Sequence, residues 1–175
     1  MQELRSAAEL VARDLRRAGH WAAAAAGVRL GDAAGVANPH AALTAASAAS
    51  GAVALSFSSA GGDPLAVDDS ERFGFRIRNG AIEMQLGARN WQALTDSGTV
   101  VVTSFSVVPR IDEAHLGTFC DRPCAVGSAT CPPRQQVRSY AIGISGRSSA
   151  DPSLQRALHS SVRVRNDVVI GACES

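Results

Sequence analysis

The sequence predicts an α+β domain in which a long N-terminal α-helix packs on an antiparallel β-sheet, with a disulfide-containing C-terminal region. Three observations carry that prediction. The opening residues place apolar side chains at helical spacing, an Asn-Gly pair sits between two alternating runs near the middle, and four cysteines gather in the last third. At 175 residues the chain is most simply one domain with a real core. The expected organisation is a helical segment over residues 1–21 and a single head over 22–175. Within the head, 22–51 is a connecting loop, 52–108 sheet, 110–133 a cysteine loop and 134–175 the C-terminal strands.

The helix is justified first. Leu4, Ala8, Val11, Leu15 and Ala18 recur at steps of four and three, which puts them on one stripe. Arg5, Glu9, Arg13, Asp14, Arg16 and Arg17 cover most of the remaining surface, and Gly19 can take the left-handed conformation that ends a helix. No Ser, Thr, Asp or Asn precedes Leu4 as a cap, and the stripe is in phase from the start. The expectation is a helix cut in the middle, with the chain forming the soluble part of a longer protein.

Residues 22–51 are rich in Ala, Gly and Ser, with the turn triplet Asn38-Pro39-His40 and a weak helical tendency over 41–50. Val53, Leu55 and Phe57 alternate, so 52–58 is a strand that Gly61-Gly62-Asp63-Pro64 breaks. Residues 73–86 form the clearest unit. A two-residue Asn79-Gly80 loop favours a type I′ hairpin, which sets Ile77 opposite Ile82, Phe75 opposite Met84 and Phe73 opposite Leu86. That apolar face is where Leu4, Val11 and Leu15 are expected to pack, so Leu15→Asp is expected to unfold the head. Residues 91–96 form a short bridge, and 99–108 a strand that Pro109 ends. A further strand spans 136–145 with Tyr140, Ile142 and Ile144 on one face; 146–159 connects, with Asp151-Pro152 starting a helical turn. The last strand spans 160–170, with Val162 and Val164 inward and Arg163 and Arg165 outward.

Composition excludes several kinds of chemistry. All seventeen Lys-plus-Arg residues are Arg, so Schiff-base, phosphate-loop and Ser-Lys mechanisms have no lysine to use. A net charge of +1 gives no reason to expect nucleic acid as a partner. No run of eighteen apolar residues occurs, and no secretory h-region precedes the helix. Cys120, Cys124, Cys131 and Cys173 nevertheless suggest two disulfides and an oxidising compartment. If Tyr140 lies opposite Val164 and Ile142 opposite Val162, Cys131 lands opposite Cys173 and leaves Cys120 with Cys124, one of three possible pairings. Closing that loop of about 40 residues is worth roughly 3–4 kcal/mol in the chain-entropy account. A four-thiolate zinc site is disfavoured, since intervals of three and six residues do not match C-x-x-C.

Other groupings favour ordinary structure over chemistry. Asp63, Asp68, Asp69 and Glu71 lack an EF-hand pattern and are expected to be a solvated loop. His20, His40, His115 and His159 are scattered singly, as surface or turn histidines are. Gly143-Ile144-Ser145-Gly146 falls short of a nucleophile elbow. The expected sites are therefore packing and interface residues Leu4, Val11 and Leu15 and the four cysteines, with no catalytic residue, metal or cofactor.

Several segments together resemble the PilW-like minor pilins of type IV pili. Leu4-Arg5-Ser6-Ala7-Ala8 and Ala12-Arg13-Asp14-Leu15-Arg16-Arg17-Ala18-Gly19-His20-Trp21 are similar to that family's helix end. Asn38-Pro39-His40 resembles its Asn-Pro-aromatic turn, with His in place of Tyr. Phe75-Arg76-Ile77-Arg78-Asn79-Gly80, Trp91-Gln92-Ala93-Leu94-Thr95-Asp96 and Val162-Arg163-Val164-Arg165-Asn166-Asp167 resemble the hairpin, the bridge and the closing strand. The family's leader and the first hydrophobic half of its helix have no counterpart in these residues. The resemblance implies a periplasmic pilin head without catalysis, priming pilus assembly with other minor pilins and the major pilin. It also implies an inner-membrane anchor in the full-length form. A minor pseudopilin of a type II secretion system is the alternative within the same fold family, and a secreted metal-binding or hydrolytic domain the alternative of another class.

Overall fold

The structure is a computed structural model that describes residues 2–28, 35–42, 52–58, 63 and 65–174. In chain order its elements are α1 (Gln2–Arg17), β1 (Ala52–Ser56), β2 (Arg72–Arg78), β3 (Ala81–Leu86), β4 (Trp91–Ala93), β5 (Val100–His115), β6 (Arg134–Ser148), β7 (Gln155–Arg163) and β8 (Val168–Ile170). One antiparallel sheet has the order β1-β2-β3-β4; the other has β5-β6-β7, with β8 pairing a further stretch of β6. The fold class therefore differs from the expected long helix on one antiparallel sheet. Among the described residues the molecule is mostly β, with two sheets and one α-helix of 16 residues.

The division into two sheets has a hydrogen-bonding cause. β5 is matched to β6 from Val100 to His115, which occupies one of its edges throughout. Toward the first sheet it makes a backbone bond from Val102 N–H to Gly80 O (2.7 Å), and no ladder joins β5 to β3 or β4. The two layers meet through side chains instead. Val53, Leu55, Phe75 and Ile82 from the first sheet share one core with Val102, Phe105, Ile142, Ile144 and Val162 from the second.

The helix forms where its residues favour it, with Glu3 in the first turn and Arg16 and Arg17 in the last complementing the dipole. Leu4, Val11 and Leu15 are each 0% exposed. Burying a leucine fully contributes about 1.5–3 kcal/mol. The backbone of α1 runs closest to β6 and β7, while Leu4, Val11 and Leu15 share one buried cluster with Phe75 and Ile82 of the hairpin. The hairpin has the register its spacing requires, Ile77 opposite Ile82 and Phe75 opposite Met84, with Asn79 (φ 51°) and Gly80 (φ 74°) in the left-handed region that a type I′ turn demands. Its apolar face closes the far side of the common core.

Three local expectations fail for identifiable reasons. Pro109 does not end β5, which continues to His115; β5 is an edge strand there, where a missing N–H is tolerated. Residues 146–159 are not one connection, because β6 reaches Ser148 and β7 starts at Gln155, leaving a turn that Asp151 organises by accepting bonds from Ser153. The last expected strand is two strands, separated where Arg165 N–H turns to Arg16 O (3.1 Å). The helical tendency expected over 41–50 falls almost wholly on 43–50, outside the described residues, as do Gly61, Gly62 and Pro64.

Candidate functional site

The densest polar cluster lies where α1 ends. A helix leaves its last carbonyls without intrahelical donors; here the backbone N–H groups of Arg165 and His20 reach Arg16 O and Arg17 O, and distant side chains hold the two residues that follow. Asn166 Nδ2–H donates to Ala18 O (3.2 Å) and Asn38 Nδ2–H to Gly19 O (2.9 Å). Gly19 makes this possible with φ 74°, and a methyl there would sit 3.2 Å from Arg138 Nη2. Arg138 reaches in from β6, its Nη1 donating to Ala41 O (2.7 Å) and its Nη2 to Asn166 O (2.9 Å). Asn38 also accepts the His40 N–H (2.8 Å), an Asx turn that fixes the Asn-Pro-His segment.

His40 is fully buried, unlike His20, His115 and His159, which are exposed. Its Nε2 lies 3.1 Å from Ser58 Oγ and 3.8 Å from Glu71 Oε2. Ser58 Oγ also accepts the Ala22 N–H, and Glu71 forms a capping box with Asp68. Burial holds His40 below its ordinary pKa of 6.5; Glu71 opposes that shift and His20 adds to it. A serine, a histidine and a glutamate thus meet, but not as a nucleophilic triad. That mechanism needs the hydroxyl and the carboxylate on opposite ring nitrogens. Here both approach Nε2, while Nδ1 is buried with no hydrogen-bond partner among the described residues. The cluster ties the turn at 38–40 to the helix end and to the strand pair below it.

The sequence-predicted residues fall into two groups that do not meet as one site. Leu4, Val11 and Leu15 lie inside the core, so the surface α1 offers is instead Arg5, Glu9, Arg13 and Arg16. Arg13 pairs with the buried Asp14 (3.0 Å). The cysteines lie at the other end of the long β5–β6 ribbon, and their pairing differs from the expected one. Cys120 bonds Cys173, and Cys124 bonds Cys131. The expected pairing required β6 to continue back through Cys131 with Tyr140 opposite Val164. Tyr140 is opposite Val162 instead, and β6 begins at Arg134, directly after Pro132 and Pro133. The loop folds over the C-terminal segment, with Ala125 N–H donating to Glu174 Oε1 (2.8 Å) and Ala172 N–H to Thr130 O (3.0 Å), which brings Cys120 to Cys173.

Among the described residues no group of three or more His, Cys, Asp and Glu could hold a metal ion, and no helix is long and apolar enough to cross a membrane. The acidic loop is not uniformly solvated, because Glu71 is buried. Arg138 escaped sequence reasoning, although one signal existed. It occupies the inward register of β6 shared by Tyr140, Ile142 and Ile144, where an arginine must find buried acceptors.

No curated protein and no solved structure matches the chain. A family model described as prepilin peptidase-dependent protein B matches residues 1–164. Two disulfides in one small domain fit an oxidising compartment. A match of that length, on a domain so stapled, means that the chain belongs to the prepilin peptidase-dependent protein B family and is a type IV pilus-related protein of the periplasmic or extracellular space.

Proposed function

We propose that this chain is the head of a minor pilin, similar to the PilW-like family, that takes part in priming type IV pilus assembly and carries out no catalysis. The match over residues 1–164 is the observation that carries this reading. The polar cluster supports it: Ser58, His40 and Glu71 stand in an arrangement suited to fixing a turn and not to acyl transfer. In this reading the partners are other minor pilins and the major pilin. An apolar helix ahead of α1 anchors the full-length protein in the inner membrane before assembly.

Deletion of the gene in a piliated host tests the proposal. The expected result is a loss of surface pili, measured by shearing and quantifying the major pilin, and recovery on complementation. Normal piliation together with a defect in exported enzymes would reject the pilus role and support the secretion pseudopilin instead.

A further inference from the structure

Along one side of the molecule α1 and β7 leave a groove of about 430 Å³ between them. Its lining is mostly polar, with Gln2, Arg5, Ser6 and Glu9 from α1 and Arg156 from β7; the half-buried Leu158 is its exposed apolar side chain, since Leu4 beneath is fully buried. Both arginines are exposed, and among the described residues neither has a carboxylate within 4.0 Å. At the other end of the same helix Arg16 and Arg165 are joined through their backbones (3.1 Å), and neither has an ion pair among the described residues. Among the described residues, a chain of net charge +1 has thus gathered Arg5, Arg156, Arg16 and Arg165 beside one helix without carboxylate partners. Arg5 and Arg16 are eleven residues apart on α1, about 16 Å of helix rise.

We infer that this groove receives an acidic segment of a neighbouring pilus subunit; the inference rests on the assembly role proposed above. One carboxylate is held between Arg5 and Arg156, and a second, about 16 Å away, meets Arg16 or Arg165. That separation corresponds to about eleven residues of a helix or five of a strand. Glu9, one helical turn past Arg5, repels an acid there and so fixes the register of the incoming segment. The occupant is a protein and not a lipid headgroup layer or free phosphate. The exposed carboxylate of Glu9 opposes a continuous sheet of anions, and the half-buried Leu158 in the groove favours a side chain over a small hydrated anion.

The test is the double variant Arg5→Glu, Arg156→Glu in the full-length gene, expressed in a piliated host. Both side chains are exposed, so the purified domain should keep its thermal unfolding midpoint and both disulfides. Surface pili should fall at least tenfold, and reversal of one Asp or Glu to Arg in another pilus subunit should restore them. Wild-type piliation by the variant, or the lack of any such restoring reversal, overturns the inference. Binding of the wild-type domain, but not of the variant, to phosphatidylglycerol vesicles or inorganic phosphate also overturns it, by assigning the arginines to a lipid surface or a small anion. If gene deletion itself leaves piliation intact, it is the assembly role that fails, a result distinct from all of these.

Discussion

His40 shows how one buried side chain sets a pH limit on the domain. Its folded pKa is depressed by burial, so the unfolded chain takes up the proton first as pH falls. Its contribution to stability is therefore complete above about pH 6.5 and is lost progressively below it. The thermal midpoint should drop between pH 7.5 and 5.5, and His40→Gln should drop less over the same interval; equal slopes would remove His40 from the account. Arg138 acts through geometry. Arg138→Met leaves the carbonyls of Ala41 and Asn166 without their charged donor. Both acceptors are only half-buried, so each stranded carbonyl costs near the low end of about 1–3 kcal/mol, and chemical denaturation should show a loss of about 2 kcal/mol. At this scale the sequence was partly legible. Asn38-Pro39-His40 was visible as a turn, but nothing local shows that a turn will be sealed under a helix end, because the donors come from Arg138 and Asn166, far along the chain.

Elements were legible where periodicity and turn chemistry agreed. Asn79-Gly80 and the alternation on both sides determine the β2–β3 register without help from the rest of the molecule. The helix stripe likewise identifies Leu4, Val11, Leu15 and Ala18 as buried, although Ala8 is only half-buried and Asp14, expected on the outer surface, is buried. Leu15→Ala should cost about 2–5 kcal/mol and lower the midpoint by roughly 5–15 °C, read by calorimetry. What the helix lies against is a tertiary matter: its backbone runs closest to β6 and β7, which the sequence did not indicate, while its apolar side chains join the hairpin's in one core. Pro109 misled for a related reason: proline forbids a central strand position, and only the assembled sheet shows that β5 is at an edge. The two disulfides should also separate by loop length. In the chain-entropy account, removing Cys120–Cys173, with its separation of 53 residues, costs about 4 kcal/mol, and removing Cys124–Cys131, with a separation of 7, about 2.5 kcal/mol. Denaturation of Cys120→Ser/Cys173→Ser and Cys124→Ser/Cys131→Ser pairs checks that order.

For the whole molecule, sequence order alone suggested one sheet, since every strand after the helix could pair with the next. The outcome was decided by the long match of β5 to β6, a non-local pairing that composition does not reveal. The Cys120–Cys173 bond then closes a covalent ring around β6, β7 and β8. In the role proposed above the chain would carry tension, and a ring alters what pulling can do. Tension applied between the chain ends bypasses everything inside the ring, shortening the fully stretched contour by about 180 Å at ~3.4 Å per residue. In optical-trap unfolding, mild reduction or Cys173→Ser should restore that missing extension, whereas Cys124→Ser/Cys131→Ser, whose bond lies wholly within the ring, should leave the contour unchanged. The smaller bond, invisible to force while the outer one holds, becomes a brake only after it opens.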